Sequence, residues 1–377
     1  MAAGLVAGCG IILAALVLGL GRRVDGVKLV DGATWTLFIG VVIAVHVAIA
    51  AFVFVPDSAR TIASLAAFML VIFTALAMDD TLYGQSDGAT GRATMIIRAA
   101  YLVFAVFGFL GIQPVSEFTQ PLFPFTEPSH FALAFLPLLI EGCVKTSGWR
   151  RYALLGTGLA TAYLLKSLSL VVGCALVAAV CLSSIRIVLG FIVALVVVSY
   201  LDVAYFSDRL NFDTQTDNLS TLVYLEGWEF VRDSFRRSDG WGIGFQQLGY
   251  APIISPSADR IFMLFHSDYN IQDGGFTASK VISEFGSIGI VFLILYLAVF
   301  ARMILFLRRC AANVGRASAG EILAAAFICG FSVDLFVRGN GYFSGTALFA
   351  VSGFAFHVRR HIRTHGAIFA GKMLRAR

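Results

Sequence analysis

Long apolar stretches recur along almost the whole chain, and they restrict its fold more than any other feature. A helix needs roughly 20 apolar residues to cross the hydrocarbon core of a bilayer. Of the 377 residues, 58% are hydrophobic and only 14% are charged, a composition typical of multi-span membrane proteins. The sequence therefore predicts an all-α polytopic membrane protein.

Counting these stretches predicts about eleven transmembrane helices. They lie near 3–20, 33–55, 61–78, 94–111, 129–141, 152–165, 167–183, 186–203, 276–301, 320–337 and 343–358. The stretches 129–141 and 152–165 are shorter than a full span. This favours broken or tilted helices, which are tolerated where protein or a wet cavity surrounds them.

Basic residues in the short loops predict the orientation. They are Arg22, Arg23, Lys28, Lys145, Arg150, Arg151, Arg186, Arg302, Arg308, Arg309, Arg316 and those of the tail. Because Lys and Arg collect on the cytoplasmic side, we expect the N-terminus outside and the C-terminus in the cytoplasm. The net charge of +5 then faces anionic lipid headgroups, and nothing in the sequence indicates nucleic-acid binding.

The same assignment divides the chain into four parts. Residues 1–203 hold spans one to eight, 204–275 form one long outer loop, 276–358 hold spans nine to eleven, and 359–377 are a basic cytoplasmic tail. Only the outer loop exposes a sizeable length of chain to water. We therefore expect the chemistry to lie there and at the neighbouring outer ends of the spans.

The outer loop contains a segment with helical periodicity, "NLSTLVYLEGWEFVRDSFRRSDG". Asn218 or Ser220 can act as the N-cap, and Gly240 can end the helix. This predicts an amphipathic helix that lies on the membrane face. Tyr224, Trp228, Arg232 and Arg236 recur every four residues and would form one stripe. Guanidiniums one turn apart, roughly 6 Å at their stems, could clamp a diphosphate, or could contact lipid phosphates as an interfacial anchor.

Further ionisable residues reach the outer side from distant parts of the chain. They are Glu127 and His130 in "FTEPSHFAL", Lys166 in "LLKSLSL", His266 in "FHSDYN", Asp273 and Lys280 in "DGGFTASKVISEFGSIGI", and Arg338 with Tyr342 in "FVRGNGYFSG". Three of them have an ordinary alternative: Lys280 can neutralise Glu284, Lys166 can snorkel to the interface, and a lone histidine such as His266 is usually an ordinary hydrogen-bonded residue. Their common side favours one outward-facing basic cavity.

These motifs, in this order around one long loop before the third-last span, resemble the O-antigen polymerase and ligase family, which includes bacterial exopolysaccharide polymerases. The resemblance implies a GT-C-like membrane glycosyltransferase that uses undecaprenyl-diphosphate-linked sugars without metal or nucleotide. It also implies that Arg232, Arg236 and Arg338 bind the diphosphate. Ligases carry a His-Asn pair where this chain has Gly275, with Asp273 close by. This departure favours a polymerase.

The sequence thus predicts a polymerase of lipid-linked oligosaccharide repeat units at the periplasmic face of a bacterial inner membrane. We assign Asp273 as the general base and Glu127 with His130 as orienting residues, and His266 is the other candidate base. The predicted substrate-binding residues are Arg232, Arg236, Arg338, Lys166, His130, Lys280, Trp228 and Tyr342. A ligase-type transferase, a transporter of lipid-linked sugars and a structural membrane subunit remain alternatives.

The predicted partners follow from this function. They are the undecaprenyl-diphosphate-linked oligosaccharide, the lipid bilayer, a flippase that supplies the substrate and a chain-length regulator. The chain has no Asp-x-Asp motif. We expect neither a metal nor a cofactor, because arginines can stabilise the diphosphate charge that develops in the reaction.

Overall fold

The computed structural model of the protein describes residues 2–17, 26–112, 122, 124, 125, 127–183, 185, 186, 216–251, 253–266 and 271–375. Within these ranges the regular structure is helical, and the one β-bridge joins Leu122 to Phe125. The predicted all-α class is therefore confirmed.

The helices follow each other with short connections in most places. They are α1 Ala2–Val17, α2 Gly26–Ala50, α3 Ser58–Tyr83, α4 Asp87–Phe109, α5 Pro128–Lys145, α6 Trp149–Leu164, α7 Leu168–Cys181, α8 Leu219–Arg237, α9 Pro256–Phe265, α10 Thr277–Ala312, α11 Ala319–Phe336 and α12 Gly345–Arg375. Ten of the predicted spans coincide with α1–α7 and α10–α12. The predicted span 186–203, apart from its first residue, and residues 204–215 of the loop lie outside the described residues.

Five helices in the described part of the chain are long and apolar enough to cross a membrane. They are Val30–Ala50, Ser58–Tyr83, Asp87–Phe109, Thr277–Ala312 and Ala319–Phe336. Helices α1 and α7 contain shorter apolar segments, Gly4–Leu16 and Leu168–Cys181. The protein is thus an α-helical membrane protein, while the count of eleven spans and the GT-C-like arrangement stay predictions.

Helices α5 and α11 form the centre of the bundle. Thirteen of the eighteen residues of α5 are buried, including Pro137, against which Gly330 of α11 packs. Aromatic rings continue this core towards α4, where Tyr101 lies 5.6 Å from Phe131, centroid to centroid. Helix α5 has 18 residues, more than the predicted stretch 129–141 and as many as α11, so its length does not require a broken helix. Helix α6, with 16 residues, exposes most of its residues, so burial by neighbouring helices does not account for its length.

Arg151 joins three helix ends at one end of the bundle, which we call the basic end. Its guanidinium donates to the carbonyls of Cys143 in the last turn of α5, Thr146 after α5, Cys181 at the end of α7 and Ala311 near the end of α10, at 2.7–3.0 Å. The last carbonyls of a helix have no partner within the helix. One planar cation therefore satisfies several of them and fixes the ends of α5, α7 and α10 together.

The opposite end, where α5 begins at Pro128 and α11 ends at Phe336, we call the loop end. Helix α10 breaks there at Gly286, whose φ of +57° lies in the left-handed region. The break leaves carbonyls of α10 free for segment 240–244: the Ser283 carbonyl accepts from the Ile243 amide and the Glu284 carbonyl from the Gly244 amide, both at 3.0 Å. This pairing holds the segment after α8 against the membrane helix.

The helix predicted in the outer loop is present as α8, and its position on the membrane face stays a prediction. The Asn218 side chain caps its first turn by accepting from the amides of Ser220 and Thr221, and the helix ends at Arg237, three residues before Gly240. A second helix, α9, begins where Glu229 of α8 accepts three hydrogen bonds from Ser255 and Ser257, at 2.6–2.9 Å. These bonds fix α9 against α8.

Candidate functional site

Three helices begin around one cavity at the loop end, which we call cavity A. It has a volume of about 250 Å³. Its wall includes Ser129 in the first turn of α5, Ser167 and Ser169 at the start of α7, and Ser220 and Thr221 at the start of α8. Helix N-termini carry partial positive charge and N–H donors, so their convergence favours an anion.

Two cationic side chains add to this positive potential. Arg338, which follows α11, and Lys166, at the hairpin between α6 and α7, both line cavity A. The hydroxyl of Ser129 is buried and has no hydrogen-bond partner among the described residues. Cavity A therefore offers guanidinium, ammonium, hydroxyl and helix-terminus donors to a single ligand.

Glu127 balances part of this charge at the edge of cavity A. Its carboxylate lies 3.2 Å from the Arg338 guanidinium and 3.0 Å from Nε2 of His130. Burial alone would raise the pKa of Glu127, but the His130 hydrogen bond and the charge of Arg338 lower this pKa to about 2. The carboxylate is therefore ionised at neutral pH and orients both partners.

The loop 338–341 brings separate parts of the site together. Arg338 faces cavity A, while Gly341 packs beside Asp273, whose Oδ1 would lie 3.3 Å from an added Cβ. At Gly339 a Cβ would lie 2.3 Å from the Thr277 amide nitrogen, so only glycine allows this close approach of the loop to α10. The two predicted motifs "RGNG" and "DGGFT" therefore meet.

Asp334, which is fully buried in α11, anchors this loop. Its carboxylate accepts from the Asn340 amide at 3.1 Å, from the Thr277 hydroxyl at 2.6 Å and from the Thr346 hydroxyl. These bonds join α10, α11, the loop and α12. Sequence reasoning missed Asp334, although a lone carboxylate in an apolar helix usually has a specific partner.

Asp273 and Lys280 form an ion pair next to Gly341 of the loop 338–341. Their Oδ1 and Nζ atoms lie 3.5 Å apart, and Lys280 also donates to the Gln272 carbonyl at 2.6 Å. Asp273 is half exposed, whereas Lys280 is buried with its ammonium 5.4 Å from the ring centre of Tyr342. A buried cation thus faces an accessible carboxylate, which is the arrangement of a candidate base with a fixed orientation.

The predicted aromatic and cationic stripe runs along α8 away from cavity A. Tyr224 lines the cavity and stacks on Phe276 at 4.8 Å, and Trp228 contacts the same ring at 5.2 Å. Arg232 and Arg236 are exposed and form no ion pair or hydrogen bond with the part of the chain that the structure describes. The structure therefore does not bring them into contact with Arg338.

His266 lies apart from these groups. It is exposed at the C-terminal end of α9, with a left-handed backbone conformation at φ +50°. It lines neither cavity A nor the cavity that includes His130 in its wall. The proposed roles of the sequence-predicted residues stay predictions, but their placement separates an inner group around Arg338 from the outer residues of α8 and α9.

Arg60 is a further residue that sequence reasoning missed. From the first turn of α3 it donates to the Gln246 carbonyl at 2.8 Å and to the Tyr250 hydroxyl at 2.9 Å, and it stacks over the Tyr250 ring. Its contacts fix the glycine-rich segment after α8 on the bundle. A single arginine near a helix start carries no sequence signal for such a role.

A second cavity, which we call cavity B, lies on the other side of His130. It has a volume of about 530 Å³ and lies between α4, α5, α11 and α12. His130 lines cavity B while its partner Glu127 lines cavity A. The Glu127–His130 pair therefore separates the two cavities.

No protein-family model, curated protein or solved structure matches this chain. Among the described residues, no group of three or more His, Cys, Asp or Glu side chains has the geometry to hold a metal ion.

Proposed function

We propose that the protein is a membrane glycosyltransferase that polymerises oligosaccharide repeat units carried on undecaprenyl diphosphate. The observation that carries this proposal is the convergence of three helix N-termini with Arg338 and Lys166 on cavity A. A diphosphate suits this site because its oxygens can accept from backbone amides, hydroxyls and a guanidinium at once. An uncharged ligand would not be favoured by the positive potential of Arg338, Lys166 and the helix N-termini.

The proposed reaction transfers the growing chain from its lipid carrier to the incoming repeat unit. A hydroxyl oxygen of the acceptor sugar forms a bond to the anomeric carbon of the donor, and the bond from that carbon to the diphosphate breaks. The lipid diphosphate leaves with the electron pair. Arg338, Lys166 and the helix N-termini would stabilise the negative charge that develops on it.

Asp273 would accept the proton of the attacking hydroxyl. Its half exposure allows contact with a sugar, and the Lys280 pair orients it. Glu127 is a poor base because its pKa is about 2, which supports an orienting role for Glu127 and His130. The exposed histidine, His266, remains the rival base.

The exposed stripe on α8 fits the remainder of the substrate. Arg232 lies eight residues beyond Tyr224, roughly 12 Å along the helix axis at 1.5 Å per residue. This distance exceeds a diphosphate, so Arg232 and Arg236 would contact the sugars or the phosphates of neighbouring lipids. The aromatic rings of Tyr224 and Trp228 would support a sugar face between these arginines and cavity A.

The resemblance to O-antigen polymerases and the distribution of basic residues support the location and the partners in this proposal. The loop end would face the periplasm of a bacterial inner membrane, with the basic end and the C-terminus in the cytoplasm. A flippase would deliver the lipid-linked units to the loop end. A chain-length regulator would act on the same side.

The test is an in vitro reaction with purified protein and a lipid-linked oligosaccharide. The native protein should make longer glycans without a membrane gradient, and Arg338→Gln should abolish them. Arg302→Gln, on α10, is the matched control and should behave like the native protein. Transfer of a single unit without polymerisation would indicate a ligase-type enzyme, and transport without any new glycosidic bond would refute the enzyme proposal.

A further inference from the structure

Cavity B has a polarity gradient from one end to the other. At the loop end its wall includes His130, Asn340 and Thr346, and the Oδ1 atom of Asn340 is buried without a hydrogen-bond partner among the described residues. Further into the bundle the wall is apolar, with Ile97, Leu138 and Phe327. A ligand that matches this wall has a polar end at the loop end and an apolar body below it.

The depth of cavity B reaches well into the bundle. His130 and Leu138 both lie on α5, eight residues apart, which corresponds to roughly 12 Å along the helix axis. Ile97 on the cavity wall is 45% exposed, and α4 has few buried residues. Cavity B therefore lies next to an exposed, apolar helix of the bundle.

Residues that line cavity B contact residues that line cavity A, or lie close to them in the chain. The carboxylate of Glu127 lines cavity A and lies 3.0 Å from His130, which lines cavity B. Asn340 of cavity B is two residues from Arg338 of cavity A on the loop 338–341. A molecule with its head near this pair would therefore place its apolar body in cavity B.

We propose that cavity B binds the isoprenoid chain of the lipid-linked repeat unit that acts as acceptor. This inference rests on the proposed function, because polymerisation requires two lipid-linked substrates at once and cavity A accommodates the diphosphate of only the donor. Thr346 is held by Asp334, and the remaining wall is mostly aromatic or aliphatic. Few polar groups are thus available for a sugar, which favours a hydrocarbon chain.

The test fills cavity B in the full-length protein and measures binding of separate probes. Ala134→Phe places a ring on the cavity wall, and Gly345→Leu adds a side chain where a Cβ has no heavy atom within 4 Å. Ala160→Phe, at an exposed position of α6, is the matched control. The probes are a polyprenol without phosphate, inorganic diphosphate and a phosphatidylglycerol.

Both cavity variants should bind polyprenol at least about tenfold more weakly than the native protein. The added side chain occupies volume that polyprenol would use, and packing both into cavity B is strongly unfavourable. The control variant should bind polyprenol normally, and all variants should bind inorganic diphosphate normally because cavity A is intact. Unchanged polyprenol binding in both cavity variants would overturn the proposal. Equal competition by phosphatidylglycerol would overturn the choice of an isoprenoid chain.

The two proposals fail in different ways in this experiment. If the native protein binds no inorganic diphosphate, the diphosphate site in cavity A and the proposed function are wrong. Polyprenol binding still tests the proposed isoprenoid site in cavity B. A polyprenol with a photoreactive group, added to the native protein, provides a measurement that needs no variant. Its crosslinks should map to α4, α5, α11 or α12, and crosslinks confined to other helices would contradict the proposal.

Discussion

Replacement of Asp334 by asparagine should disconnect the loop 338–341 from the bundle. The native carboxylate accepts three hydrogen bonds, from the Asn340 amide, the Thr277 hydroxyl and the Thr346 hydroxyl. An asparagine amide has the same shape but only one accepting oxygen. The Asn340 amide and the Thr277 hydroxyl both donate to Oδ1 of Asp334, whereas the Thr346 hydroxyl donates to Oδ2, so at least one donor would face the new NH₂ group.

The expected loss of stability can be worked from these bonds. A hydrogen bond to a charged group contributes about 1.5–3 kcal/mol, and a buried donor left without a partner costs about 1–3 kcal/mol. The threonine hydroxyls can turn to backbone carbonyls of their own helices, which reduces the loss. We therefore expect Asp334→Asn to lower the free energy of unfolding by about 2–4 kcal/mol.

The functional consequence should exceed that of a general loss of stability, because the same loop carries Arg338 at cavity A. Inorganic diphosphate binding to purified protein should weaken at temperatures where Asp334→Asn is still folded. Ser332→Ala on the same helix is the control, since among the described residues the Ser332 hydroxyl donates to the Cys329 carbonyl of its own helix. Native diphosphate binding and native thermal stability in Asp334→Asn would refute the anchoring role.

Three further predictions concern the loop end. Because the pKa of Glu127 is lowered to about 2, its ionised form stabilises the fold above its ordinary pKa near 4.5, and this contribution is lost as pH falls towards 2. Glu127→Gln should therefore melt earlier than the native protein at pH 7, with a difference that shrinks in acid; a pH-independent difference would contradict the ion pair. Asp273→Asn should lose nearly all glycan synthesis, by about 10²- to 10⁴-fold, whereas His266→Ala keeps part of it; the reverse order in glycan ladders would assign the base to histidine. In a cysteine-free background, cysteine at exposed Asp239 should react with an impermeant thiol reagent added to intact cells and cysteine at Arg316 should not; reversed labelling would invert the topology.

Local sequence patterns predicted the helices well. Apolar stretches of about span length indicated most of the membrane helices, because a helix that faces lipid must be apolar around most of its surface. The cap at Asn218 and the apolar spacing indicated α8. The exposure of α6, in contrast to the burial of α5, could not be predicted. Two short apolar stretches look alike in sequence whether other helices cover them or not.

The candidate site was predicted in part. Glu127, His130, Lys166 and Arg338 were each identified as ionisable residues at the loop end, and the structure places all of them at cavity A or beside it. The resemblance implied that Arg232 and Arg338 bind one diphosphate, and the fold places Arg232 on an exposed part of α8, out of contact with Arg338. Spacing along one helix fixes which residues share a face, and it does not fix which neighbour that face meets.

The sequence by itself determined the environment of this protein and its helices, because hydropathy, helical period and capping act over a few residues to a few turns. Only the tertiary structure decided which charges meet. Glu127 and Arg338 are 211 residues apart in the chain, and the anchoring contact from Asp334 to Thr277 bridges 57 residues. Such contacts depend on how α5, α10 and α11 pack, and packing is set by the shapes of many buried side chains together and by no single motif.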